Sequence, residues 1–167
     1  IAILPCLIIR LISPIYTIRI ARLAATNFGD FVWMPAMYHC KKKLNIDQPK
    51  NNHKDFVYIQ NQNKIYNKQL EKMWKRKFNF LPSYLLDPLA RVNKLLPGWQ
   101  KHTIKNLVIQ ERDINNLFEK YQALDFTTEE EVYGKKMLEK FGLKNGDKFV
   151  CLAVRDKNYQ FKKISKE

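Results

Sequence analysis

The run FTTEEEVYGKKMLEKFGLKNGDKFVCLAVRD, residues 126–156, carries the local pattern that decides the predicted fold. Thr127 is followed three residues later by Glu130, which is the capping box that starts a helix, and Gly142 is placed to end it. After a KNGD turn, the unbroken apolar run at 149–154 is typical of a strand buried on both faces of a parallel sheet. A helix, a turn and a buried strand form the repeating unit of an α/β fold.

The same alternation extends toward the start of the chain. Segments 15–23, 55–62 and 103–110 are rich in β-branched and aromatic residues and are predicted as strands. Segments 67–78 and 85–95 carry apolar side chains at helical spacing. We therefore predict a Rossmann-like parallel sheet with flanking helices.

Composition narrows the classes of partner. The chain has 167 residues and a net charge of +14, an excess that suits nucleic acid, an anionic membrane surface or a phosphorylated substrate. The lysine-rich helix predicted at 67–78 resembles no nucleic-acid recognition motif. We therefore interpret its lysines as a solvated face and do not predict nucleic acid as the partner. Three isolated cysteines and three scattered histidines have no metal-ligand spacing, and no metal site is predicted.

The first residues are strongly apolar, and their role is open at this stage. Pro5 and Arg10 interrupt the segment, and its uninterrupted part, 1–9, is too short to span a bilayer. It could lie in a membrane interface or continue a longer anchor, while a buried strand is the simpler interpretation of 15–23. We set the segment apart as residues 1–13, membrane-proximal, and expect one domain over residues 14–167.

The strand predicted at 149–154 ends in an arginine, which suggests a binding site. Ligands of open α/β sheets lie beyond the carboxyl ends of the strands, where Arg155 would offer fixed donors to a phosphate or carboxylate. Asp156 would orient that arginine or accept a hydrogen bond from a sugar hydroxyl. Tyr159 would stack on a ring or form a hydrogen bond with it. The simpler alternative is a surface ion pair between Arg155 and Asp156.

A second candidate site lies where the first strand hands over to a helix. The sequence NFGDF, residues 27–31, places Gly29 at that turn, where glycine allows a tight turn or a close approach of backbone. Asp30 follows and is expected to cap the helix.

The run at 126–159 resembles a little-characterised family of bacterial glycosyltransferases found with surface-polysaccharide genes. The positions that carry the resemblance are Phe126, Thr127, Glu129, Glu130, Gly134, Leu138, Gly142, Val154, Arg155, Asp156 and Tyr159. The resemblance extends over most of residues 14–159 and is weak between 79 and 125. The turn NFGDF stands where the family carries a glycine followed by histidine, so Asp30 departs from the pattern.

The resemblance implies the N-terminal half of a two-domain GT-B enzyme, with its active site between two Rossmann-like halves. Such an enzyme takes a nucleotide-sugar as co-substrate, needs no metal or other cofactor, and acts on a polysaccharide or lipid-linked acceptor at the cytoplasmic face of the membrane. Gly29, Arg155 and Tyr159 would bind substrate, and Asp30 and Asp156 are the candidates for the general base. Since the chain starts at Ile1 and stops soon after a predicted strand, we expect a fragment that is inactive alone.

A different class of function stays open. A basic module without catalysis, bound to a membrane surface or to nucleic acid, would explain the charge equally well.

Overall fold

A sheet of three parallel strands, paired in the order in which they occur along the chain, lies at the centre of residues 1–125. Strand β1 is Tyr16–Arg22, β2 is Asn52–Tyr58 and β3 is Asn79–Phe80. Thr103 bridges to Ile20 on the free edge of β1. The computed structural model describes residues 2–107, 112–113, 116–144 and 146–152, and it divides the chain into two compact units, residues 1–125 and 126–167.

Helices lie on both sides of this sheet in the first unit, and a further helix belongs to the second unit. They are α1 (Ile3–Ile12), α2 (Phe28–Lys43), α3 (Lys68–Lys77), α4 (Ser83–Lys94), α5 (Leu117–Lys120) and α6 (Thr128–Lys140), with short 3-10 turns at Gln62–Lys64, Trp99–His102 and Lys105–Leu107. The fold is therefore mixed α/β with a parallel sheet and flanking helices, which confirms the predicted class at that level. Of the helices that the structure describes, none is both long enough and apolar enough to cross a bilayer.

One face of the sheet packs against α2 and α3. Ala21 of β1 and Val57 of β2 meet Phe31, Tyr38 and Trp74 in the largest apolar cluster of the first unit. Trp74 and Tyr38 are the largest fully buried side chains, and the indole Nε1 of Trp74 donates to the carbonyl of Phe31 at 2.8 Å. This bond satisfies the one polar atom of the indole, so its burial carries no unmet hydrogen bond.

The other face packs against α4, and α1 lies beside α4. Ile20, Tyr58 and Leu86 form a smaller apolar cluster on this side. Because β1 and β2 alternate apolar side chains between both faces, the sheet needs helices on both, and the layers run helix, sheet, helix.

A buried charge network crosses the first two strands. Arg19 and Asp55 are direct neighbours in the strand register, and Arg19 Nε lies 2.7 Å from Asp55 Oδ1. Tyr38 donates to the same carboxylate, and Lys42 Nζ lies 2.9 Å from it. Burial alone would raise the pKa of Asp55, but hydrogen bonds from Arg19 and Tyr38 outweigh burial and lower that pKa. The carboxylate is therefore held charged inside the fold and ties β1, β2 and α2 together.

The second unit is built around α6. Thr127 Oγ1 accepts from the amide of Glu130 at 3.3 Å, and Glu130 Oε2 accepts from the amide of Thr127 at 2.9 Å, which confirms the predicted capping box. At the other end, Gly142 has φ +83°, and the amide of Leu143 donates to the carbonyl of Leu138 at 3.1 Å. Gly142 thus ends the helix in the left-handed conformation that glycine adopts without strain, as predicted.

Two predicted strands differ from the structure. The described part of the one at 149–154, residues 149–152, lies in no strand, and Val150 and Leu152 are exposed. The one at 103–110 contributes only the bridge at Thr103 and then forms the turn Lys105–Leu107, while 108–110 lie outside the described residues. An apolar run becomes a strand only where neighbouring backbone supplies its hydrogen bonds, and the sequence pattern does not report that neighbour.

The apolar start of the chain forms a helix, and its membrane-proximal position stays a prediction. Residues Ile3–Ile12 form α1, whose Cys6 is buried. The prediction of one Rossmann-like domain over residues 14–167 stays a prediction, because the described part of the second unit ends at residue 152.

Candidate functional site

A cavity of about 550 Å³ lies in the first unit, where β1 and β2 end. Arg22, the last residue of β1, and Gln60, just past the end of β2, line it. The carboxyl ends of parallel strands are where ligands of open α/β sheets bind.

Helix α2 contributes one acidic wall. Asp30 lies in the first turn of α2, is half-buried and lines the cavity. Its Oδ2 accepts from Asn27 Nδ2 at 3.2 Å. Asp30 therefore does not cap the helix as predicted, since α2 already begins at Phe28, but the carboxylate stands at the helix N-terminus, where the dipole stabilises negative charge.

Gly29 does not form the tight turn predicted for it. It is exposed and helical, and a Cβ added there would meet nothing within 4 Å. The prediction of a tight turn or close backbone approach at Gly29 is wrong, because the chain enters the helix one residue earlier. A substrate contact by Gly29 stays a prediction.

Helix α4 supplies the opposite wall from residues one turn apart. Asp87, Arg91 and Lys94 all line the cavity. Arg91 Nε lies 2.9 Å from Asp87 Oδ2, and the hydroxyl of Tyr58 donates to Asp87 Oδ1 at 3.0 Å. Burial and this hydrogen bond raise the pKa of Tyr58 to about 12, so Tyr58 stays protonated at neutral pH and acts as a donor.

The cavity brings together charges of both signs. Three cations, Arg22, Arg91 and Lys94, face the same space as the carboxylates of Asp30 and Asp87. Arg22 Nη1 donates to Gln60 Oε1 at 2.7 Å, which orients the guanidinium without neutralising it. Such a site can bind phosphate or a sugar hydroxyl through the cations and accept a proton on a carboxylate.

Two other cavities have less suitable positions or linings. One of about 800 Å³ lies in the first unit beside Thr17 and Lys50, toward the amino ends of the strands. Another of about 610 Å³ lies in the second unit, with Phe126, Leu138 and Phe149 among its lining residues. Neither stands where parallel strands open toward a ligand, so we take the cavity at the carboxyl ends as the candidate site.

The remaining predicted site residues cannot be placed against this cavity. Arg155, Asp156 and Tyr159 lie outside the described residues. Within the part of the chain that the structure describes, no three His, Cys, Asp or Glu side chains lie close enough together to hold a metal ion.

Sequence reasoning missed most of this site. Arg22, Tyr58, Asp87 and Arg91 lie on elements that were predicted, yet none was predicted to line a site. The available signal was the spacing of Asp87, Arg91 and Lys94, which puts three charges on one helical face.

Comparison with known proteins adds no relative. No family model, no curated protein and no solved structure matches this chain.

Proposed function

We propose that this chain belongs to a glycosyltransferase that moves a sugar from a nucleotide-sugar donor to a polysaccharide or lipid-linked acceptor. The observation that carries the proposal is the convergence of Arg22, Arg91 and Lys94 with Asp30 on one cavity at the carboxyl ends of parallel strands. The resemblance at 126–159 adds the reaction class, with the chain as the N-terminal half of a GT-B enzyme.

In the proposed reaction the carboxylates and the cations of the cavity have different roles. In sugar transfer, an acceptor hydroxyl oxygen bonds to the anomeric carbon of the donor, and the bond from that carbon to the diphosphate breaks. The hydroxyl proton passes to a carboxylate, for which Asp30 is the candidate in this cavity and Asp156 the alternative. The leaving diphosphate gains charge, and the arginines and lysine stabilise it.

The location of the proposed acceptor predicts where the enzyme acts. Lipid-linked and surface polysaccharides are assembled on the cytoplasmic face of a membrane in this proposal, and the enzyme is peripheral to that face. The basic balance of the chain suits an anionic surface.

Binding of donor is the first test. Calorimetry with UDP-sugars and GDP-sugars is expected to show saturable binding to the natural gene product. Arg22→Ala and Lys94→Ala should each weaken it by about tenfold to a hundredfold, since each removes a charged donor to phosphate. Lys50→Ala is the matched control, because Lys50 is an exposed lysine beside the other cavity of the first unit.

Asp30 requires a separate measurement. Asp30→Asn should leave donor binding intact, because the amide keeps the shape of the side chain. In the natural gene product, the same variant should slow release of nucleoside diphosphate by about a hundredfold or more. Absence of saturable binding, or equal losses in Arg22→Ala and Lys50→Ala, would overturn the proposal.

A further inference from the structure

Helix α1 turns its polar atoms inward, toward α4. The thiol of Cys6 donates to the carbonyl of Leu89 at 3.4 Å, and Arg10 Nη2 donates to Asn93 Oδ1 at 2.8 Å. Both partners advance by four residues, so the two helices lie side by side and run in the same direction. Arg10 is the one charged residue of α1, and its guanidinium also donates to the carbonyl of Pro97 in the turn after α4.

The opposite side of α1 is apolar and uncovered. Five side chains at the spacing of a single helical face each expose half or more of their surface: Ile3, Leu4, Leu7, Ile8 and Leu11. Leu11 exposes 82%. We call these five residues the outer face of α1. A water-soluble surface helix ordinarily shows the reverse arrangement, with its charge outward and its apolar side buried.

The segments that contain α1 and α4 are basic in composition. Residues 2–15 and 81–101, which contain α1, α4 and the turn after α4, hold four arginines and lysines and one carboxylate. Arg91 and Lys94 of α4 line the cavity of the candidate site, so the attraction to an anionic surface comes from the net charge of +14. An apolar face on a strongly basic chain complements a surface that has an apolar interior and an anionic boundary.

The outer face of α1 could be covered by a second copy of this chain, by another protein or by a bilayer, and charge favours the bilayer. A second copy of this chain would bring another +14 against the same face, and like charges of that size oppose association. The outer face is a single convex helix rather than a groove, so it offers no pocket for the side chains of a protein partner. A bilayer requires no such pocket.

We propose that the outer face of α1 docks this protein onto an anionic lipid bilayer. The five side chains enter the interface between headgroups and acyl chains, and the net positive charge of the chain attracts it to the anionic headgroups. The Arg10 guanidinium stays on α4 and holds α1 in place. The inference rests on the membrane location given in the proposed function but not on its sugar chemistry.

Vesicle binding tests the inference on the whole chain. Vesicles of phosphatidylcholine with about 30% phosphatidylglycerol should sediment the protein, and vesicles of phosphatidylcholine alone should bind it about tenfold less. The double variant Leu7→Ser/Leu11→Ser should lower the affinity for anionic vesicles by about tenfold or more, since two exposed leucines leave the interface. Both positions are exposed, so thermal unfolding of the variant should match the original chain.

A matched control removes apolar surface elsewhere. Leu44→Ser/Val132→Ser changes two partly exposed side chains outside the outer face and should bind vesicles as the original chain does. Equal losses in both double variants, equal binding to neutral and anionic vesicles, or no binding would overturn the inference. A dimer in sedimentation velocity that Leu7→Ser/Leu11→Ser abolishes would assign the face to a second copy instead. Donor binding at the cavity is measured separately, so failure here leaves the proposed function standing.

Discussion

Helices α3 and α6 begin in the same way but end up in different surroundings. Asn67 Oδ1 accepts from the amide of Leu70 at 2.9 Å, as Thr127 Oγ1 accepts from the amide of Glu130 in α6. Yet α3 buries Leu70, Met73 and Trp74, whereas α6 buries none of its residues. The comparison shows that a cap fixes where a helix starts, while burial depends on what packs beside it.

The largest expected effect comes from replacing an aromatic side chain by alanine in each unit and comparing the loss of stability. Trp74→Ala should lower the free energy of unfolding of the first unit by about 3–5 kcal/mol, because it leaves a cavity in the main core. Tyr133→Ala in α6 should change stability by less than about 0.5 kcal/mol, since Tyr133 is largely exposed. Urea unfolding followed by tryptophan fluorescence and circular dichroism measures both. A large loss in Tyr133→Ala would show that α6 has a covered face.

A smaller effect concerns a titratable group that only the first unit buries. Among the described residues, both ring nitrogens of His39 lack a hydrogen-bond partner. The pKa of His39 is lowered from 6.5 to about 4, first by burial and then by Lys77, Lys43 and Lys42, while Asp125 raises it. Protonation therefore favours the unfolded chain. The stabilisation is complete above pH 6.5 and is lost as the pH falls toward 4.

Stability of the first unit should accordingly fall by about 2 kcal/mol between about pH 7.5 and pH 5. His39→Leu should remove most of that slope. His102, whose pKa burial also lowers, accounts for the slope that remains. Chemical unfolding at several pH values gives both slopes, and an unchanged slope in His39→Leu would contradict the assignment. The helicity of α6 should stay constant over the same range, because α6 buries no titratable group.

The smallest effect tests the caps themselves. Thr127→Ala should cost about 1 kcal/mol and speed hydrogen exchange of the α6 amides about fivefold, because little tertiary packing holds that helix. Asn67→Ala should cost a similar amount, but as global stability of the first unit, with little local change in α3. Hydrogen exchange resolved by residue distinguishes the two. If hydrogen exchange became faster by the same factor in α3 and α6, the two helices would not differ in how far tertiary packing holds them.

Much of the fold could be predicted from local pattern. The positions of β1, α3 and α4 and both ends of α6 follow from periodicity and caps, which act over three or four neighbouring residues. The prediction of a strand at 149–154 is wrong over its described part, because an apolar run does not specify its partner. Of the predicted site residues that the structure describes, Asp30 lines the cavity and Gly29 does not.

The sequence by itself determined the α/β class, the capped helices and the excess of positive charge, because composition and short-range spacing are enough for these. Only the tertiary structure decided that Arg22 and Asp30 share a cavity with Asp87, and that Arg19 pairs with Asp55 across the sheet. It also decided that α1 turns its arginine inward and its leucines outward. The shared cavity, the Arg19–Asp55 pair and the orientation of α1 have one physical reason in common. Each depends on contacts between residues far apart in the chain, and strand register and helix packing decide which of these residues meet.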